Sequence, residues 1–229
     1  MNHPSTLALV HTSATLVPVF QKLCAEHLPG VNVFNIADDS LIRDVIARNT
    51  LTPQNARRVA GHIASAESAG ADYIMVTCSS IGPAVEASAP FTAVPVLRVD
   101  QPMADEAVRT GKRIGVIATL PTTLDPTADL VERRADTAGR EVRIEARLCE
   151  GAFDALMSGD AATHDSMVSK ALRALSREVD VIVLAQASMA RVVDTLAEEE
   201  KRIPILASPP LAMRYLAGIF APGEGGNKK

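Results

Sequence analysis

The chain has no tryptophan, and aromatic residues make up only 3% of it. Platforms for stacking bases are therefore nearly absent, and with no basic tract and a net charge of −4 nothing calls for a nucleic-acid partner. Long apolar runs are lacking as well. The longest are strand-sized, and Met1-Asn2-His3-Pro4-Ser5 carries neither the basic nor the apolar region of a secretory signal, so a cytoplasmic protein without a membrane partner is expected. Cysteine is scarce: Cys24, Cys78 and Cys149 are odd in number, far apart and outside any CxxC spacing, which argues for free thiols and against a disulfide framework or zinc site. No HExxH, GxSxG, P-loop or GxGxxG element occurs, so metal, serine-hydrolase and nucleotide readings lack support.

What the chain does hold is an internal duplication. Ala71-Asp72-Tyr73-Ile74-Met75-Val76-Thr77-Cys78-Ser79-Ser80 lies over Val179-Asp180-Val181-Ile182-Val183-Leu184-Ala185-Gln186-Ala187-Ser188, so that Cys78 faces Gln186. Leu7 to Thr12 answers Ile114 to Thr119, Thr12-x-x-Thr15 answers Thr119-x-x-Thr122, Val31 to Val33 answers Val142 to Ile144, and Val94-Pro95-Val96-Leu97 answers Ile203-Pro204-Ile205-Leu206. An offset of about a hundred residues is far beyond solenoid periods and describes two halves of one architecture.

Each half offers four short, continuous apolar strands separated by helix-length segments, the pattern of a mostly parallel sheet covered on both faces. Strands are expected near 6–11, 31–36, 72–77, 94–98, 113–118, 142–148, 180–185 and 203–207. Thr52-Pro53 predicts a capped helix start, Asp125-Pro126 a second one closed by Gly139, and Thr163 the cap of a third, with His164 in its first turn. The fold expected is α/β with two pseudo-symmetric lobes: residues 1–99 with about 207–220, then 100–206, followed by a frayed tail at 221–229.

Ligands of open α/β sheets bind beyond the carboxyl ends of the strands, where Thr12, Cys78, Thr119 and Gln186 fall. If the halves face each other, these line one cleft. Cys78 sits where a strand gives way to a helix, whose positive end and free N–H groups are expected to lower the thiol pKa. Gln186 cannot titrate but donates and accepts hydrogen bonds, and Thr12, Ser13, Ser79, Ser80, Thr119, Thr122 and Ser188 add hydroxyls, a set suited to a small anion without a cationic side chain. His11, Cys149 and Glu150 are candidates for a second acid or base, whereas Cys24 reads as a structural residue on an amphipathic helix. The paucity of aromatics favours a small polar pocket over a large aryl one.

Strand-Cys78-Ser79-Ser80, the block Gly115-Val116-Ile117-Ala118-Thr119-Leu120-Pro121-Thr122 and the duplicated layout resemble the aspartate/glutamate/hydantoin racemase superfamily, up to about residue 218. The resemblance implies cofactor-independent chemistry on a small carboxylate or hydroxy-carbonyl compound, a homodimer or higher homo-oligomer, and two cysteines on opposite faces of the reacting carbon. Cys78 matches the first, and the second falls on Gln186. Three enzymatic readings follow: a racemase, epimerase or isomerase with another second acid or base, a single-cysteine decarboxylase similar to the arylmalonate decarboxylases, or covalent addition as in the maleate isomerases. A non-catalytic protein that binds a small anion is the alternative of another class.

Overall fold

The computed structural model describes residues 5–221, so the expected tail lies outside the described residues except for Ala221. The first half contains β1 (Thr6–His11), α1 (Leu16–His27), β2 (Asn32–Ala37), α2 (Asp39–Arg48), α3 (Pro53–Ser68), β3 (Tyr73–Val76), α4 (Gly82–Ser88) and β4 (Val96–Arg98). The second contains α5 (Gln101–Thr110), β5 (Arg113–Ala118), α6 (Pro121–Thr137), β6 (Arg143–Leu148), α7 (Ala152–Met157), α8 (Ala161–Leu175), β7 (Val181–Leu184), α9 (Ala190–Thr195) and β8 (Ile205–Ala207), before α10 (Ser208–Phe220).

The strands form two four-stranded parallel sheets in the orders β2-β1-β3-β4 and β6-β5-β7-β8, one sheet in each half. Their registers repeat: Val76 lies opposite Arg98 in the first sheet as Leu184 lies opposite Ala207 in the second. Because side chains alternate across a strand, continuous apolar runs feed two cores at once. Ala8, Val10, Ile74 and Val76 pack with Leu41, Val45, Val59 and Ile63 on one face, while Leu7, Leu9 and Met75 pack with Phe20, Cys24, Met213 and Leu216 on the other. The second sheet divides likewise, Ile114, Val116, Val181 and Val183 towards Met103, Leu130 and Val131, and Ile117, Ile182 and Leu184 towards Val168, Leu172 and Val192.

The chain crosses between the halves twice. α5 leaves the first sheet and packs on the second, whereas α10 leaves the second and packs on the first. Asp72 and Asp180, equivalent in the duplication, do equivalent work at the opposite end from the site: Asp72 accepts from the Thr6 N–H at 2.7 Å, and Asp180 from the Arg113 N–H at 2.8 Å.

Thr52 caps α3 as expected, accepting from the Asn55 N–H while the Asn55 side chain accepts from the Thr52 N–H, each at 3.2 Å. Two other helix starts differ from expectation. α6 begins at Pro121, so Pro126 stands inside it, and Gly139 takes the left-handed φ of 62° just past its end. α8 is capped by Asp160, whose carboxylate accepts from the Thr163 N–H at 3.0 Å and the Thr163 hydroxyl at 2.6 Å, so Thr163 is the third helical residue and no cap. His164 does lie in that first turn but is fully buried, with its Nδ1 2.7 Å from Asp165.

Candidate active site

Cys78 ends the extended segment of β3 and precedes a single 3₁₀ turn, Ser79–Ile81, that runs into α4. Gln186 occupies the same place before the turn Ala187–Met189 and α9. Both line one cavity of about 470 Å³ between the halves, within the size range of small-molecule sites. Thr12, Ser13, Ser79, Ser80 and Ser188 line it too.

The thiol is met by the Thr12 hydroxyl, the Ser80 hydroxyl and the N–H groups of Ser80 and Ile81. These donors were expected to bring its pKa down, but withdrawal from water is the larger effect and pushes the Cys78 thiol up. The two N–H groups of the turn and the two hydroxyls together do not offset that desolvation.

Gln186 is held from behind. Its Oε1 accepts from the Thr119 N–H at 2.6 Å and the Thr119 hydroxyl at 2.9 Å. A backbone N–H can only donate, so this contact fixes which end of the amide faces Thr119 and leaves the NH₂ group as its free end.

Several candidates fall elsewhere. Thr119 is buried behind Gln186 and is not part of the cavity wall. Thr122 is also outside it, with a buried hydroxyl that has no partner among the described residues. The next residue along α6, Thr123, takes its place on the wall and shares a hydrogen bond of 2.8 Å with Ser80 across the two halves. A step of one helical residue turns the side chain by about 100°, which the Thr-x-x-Thr pattern did not anticipate.

The three candidates for a second acid or base lie outside the wall. His11 is fully buried, its Nδ1 2.8 Å from Thr77 Oγ1 and its Nε2 2.9 Å from Asn35 Oδ1, and burial pushes the imidazole pKa down. Cys149 is buried in the second core, where desolvation pushes its thiol up to about 11. Glu150 is exposed. Cys24 is buried in the first core and its thiol is likewise pushed up by burial to about 11.

The wall also holds residues that the sequence did not single out. Asp39 and Arg43 bring charge from α2. Asp39 accepts from the Ala14 N–H at 2.6 Å and so pins the loop carrying Thr12 and Ser13. Arg43 forms no ion pair among the described residues, since Asp38 is taken by Arg58 and Asp44 by Arg48. Ile42 and Ile46 of α2, with Phe153, Leu156 and Met157 of α7, make an apolar flank from both halves, so the pocket is larger and less polar than the aromatic count implied. Their signal in the sequence is an amphipathic stripe that reads equally well as core.

Among the described residues no helix is long and apolar enough to cross a membrane, and no cluster of His, Cys, Asp and Glu is placed to hold a metal ion.

The two-lobed architecture is shared with solved racemases. A glutamate racemase isoform from Bacillus anthracis superposes with a TM-score of 0.71 at 17% identity, over 95% of this chain and 82% of that one. Allantoin racemase from Klebsiella pneumoniae gives 0.68 at 16%, covering 95% and 88%, and Picrophilus torridus aspartate racemase 0.66 at 15%, covering 93% and 94%. No curated protein sequence matches. The Asp/Glu/Hydantoin racemase family model matches residues 8–216, and the chain belongs to that family.

Proposed function

We propose that the protein is a cofactor-independent racemase- or isomerase-type enzyme in which Cys78 exchanges a proton with the carbon beside a carboxylate or carbonyl of a small acid. The observation that carries this reading is the placement of one thiol, beside the Thr12 and Ser80 hydroxyls and the N–H groups of Ser80 and Ile81, in the wall of a cavity between the halves. Donors that meet a thiolate also meet the negative charge that develops on an adjacent enolate. The Gln186 NH₂ group, held by Thr119, donates to that charge from the opposite half, and Ser79, Ser80 and Thr123 bind the carboxylate. The apolar flank of Ile42, Ile46, Phe153, Leu156 and Met157 receives a hydrocarbon substituent, and Arg43 draws the anion in.

Proton NMR in deuterium oxide tests this on a panel of amino, hydroxy and aryl- or alkyl-substituted carboxylic acids. Deuterium appearing at the α-carbon supports the reading, and a panel that binds without exchange contradicts it. A second reading is favoured by the amide at Gln186 and by a thiol that burial keeps protonated near neutral pH. With an acid on only one face, Cys78 then delivers a proton to the carbanion left by loss of carbon dioxide, giving one enantiomer. Substituted malonic acids in the same panel, with chiral analysis of the product, separate the two.

A further inference from the structure

The duplication is also broken where α4 begins, four residues after Cys78. Arg98, at the end of β4, is 2% exposed and its guanidinium forms a bidentate pair with fully buried Asp100, at 2.9 Å from Nε and 2.7 Å from Nη2. The guanidinium lies flat against Gly82, the first residue of α4. A Cβ on Gly82 would come within 2.5 Å of Arg98 Nε and closer still to the carbon between the nitrogens. The register equivalents in the second half are Ala207 for Arg98 and Ala190 for Gly82, with Pro209 in place of Asp100. The arginine, the glycine that makes room for it and the carboxylate that neutralises it therefore occur together on the Cys78 side, and all three are missing on the Gln186 side.

The same guanidinium reaches the other half. Nη2 donates to the carbonyl of Pro126 in α6 at 3.4 Å, and Nη1 stands 3.3 Å from Glu86 Oε1, though without the alignment of a hydrogen bond. Glu86 is in turn held by Arg133 of α6 at 3.0 Å, and Ser80 is joined to Thr123 of α6. The turn that follows Cys78 is thus held at its end by Arg98 against Gly82 and joined to α6 of the other half by the Ser80–Thr123 bond.

We infer that Arg98, seated on Gly82 and paired with Asp100, is a positioning residue for Cys78, fixing the turn Ser79–Ile81 so that its N–H groups meet the thiol. A buried ion pair is costly to desolvate and contributes little net stability, so geometry is its better explanation. A planar fork holds two partners and a flat backbone face at once, which a lysine ammonium does not. The inference rests on the reading of Cys78 as the reactive thiol.

The test is the pH dependence of Cys78 alkylation by iodoacetamide, followed on the Cys78 peptide by mass spectrometry in wild type and Arg98→Lys. A second variant, Gly82→Ala/Arg98→Ala/Asp100→Asn, gives Gly82 and Arg98 the alanines of the second half and leaves no buried charge. With circular dichroism showing a native fold, loss of the aligned N–H donors moves the alkylation midpoint up by at least about half a pH unit. For any acid the wild type turns over, kcat falls at least about tenfold through misplacement of the thiol and of the Ser79 and Ser80 hydroxyls carried by the same turn. A folded Arg98→Lys protein with the wild-type midpoint overturns the inference, whatever its activity, and it decides alone if the triple variant does not fold. Alkylation needs no substrate, so failure of the proton-transfer reading is seen separately, as no exchange by wild type.

Discussion

Cys78 and Gln186 stand at equivalent points of two equivalent half-structures, yet one titrates and the other does not. The burial that pushes the Cys78 thiol up sets the sign of the pH dependence. A raised thiol pKa means that thiolate appears only as pH climbs above the ordinary value of about 8.5. If Cys78 removes the proton, kcat/KM rises with pH through that alkaline window, and we expect this in a pH profile of the wild type. A fall over the same window identifies the protonated thiol as the working form and selects the decarboxylating reading. Gln186→Glu keeps an oxygen for the Thr119 N–H but replaces the NH₂ donor with a charged acceptor, so steady-state kinetics should show KM for carboxylate substrates raised at least about tenfold. At this scale the sequence placed Cys78, Gln186, Thr12, Ser13, Ser79, Ser80 and Ser188 at strand ends, where they line one cavity, because duplication and strand-end placement are local patterns, whereas Thr119 and Thr122 lie off its wall. It did not single out Arg43, Phe153 or Arg98, whose placement depends on elements distant in sequence.

Elements were legible where their signals are short-range. All eight strands were foreseen because sheets buried on both faces leave continuous apolar runs, and Thr52-Pro53 was read correctly because both halves of its capping box lie within four residues. Thr52→Ala removes the hydroxyl that accepts from the Asn55 N–H, while the backbone bond from the Thr52 N–H to the Asn55 side chain remains, and it is expected to cost about 1 kcal/mol, measured by denaturant unfolding, with kcat unchanged. Asp125-Pro126 misled because proline normally marks a helix start, yet here it stands within the second turn of α6, where its carbonyl accepts from Arg98. Thr163 misled because two polar residues compete for one cap. Asp160 comes first in the chain, and its two oxygens take both the N–H and the hydroxyl of Thr163.

At the scale of the whole molecule, α5 and α10 exchange the halves they cover, so each sheet is completed by a helix that follows the other's last strand. Leu216 of α10 is fully buried beside Leu7, Leu9 and Phe20 of the first half. Leu216→Ala should therefore destabilise the protein by about 2–5 kcal/mol in denaturant unfolding, despite being near the end of the described chain. The same crossing holds the two strand-end edges face to face and makes a single cavity of them, with Cys78 on one side and Gln186 on the other. The central claim is that this cavity works through the Cys78 thiol, and the most direct test is the turnover of an accepted acid by Cys78→Ala against wild type, with matched circular dichroism spectra. Loss of a positioned acid–base group predicts a fall of about 10²-fold to 10⁴-fold in kcat, whereas turnover at the wild-type rate by the folded variant would contradict the account.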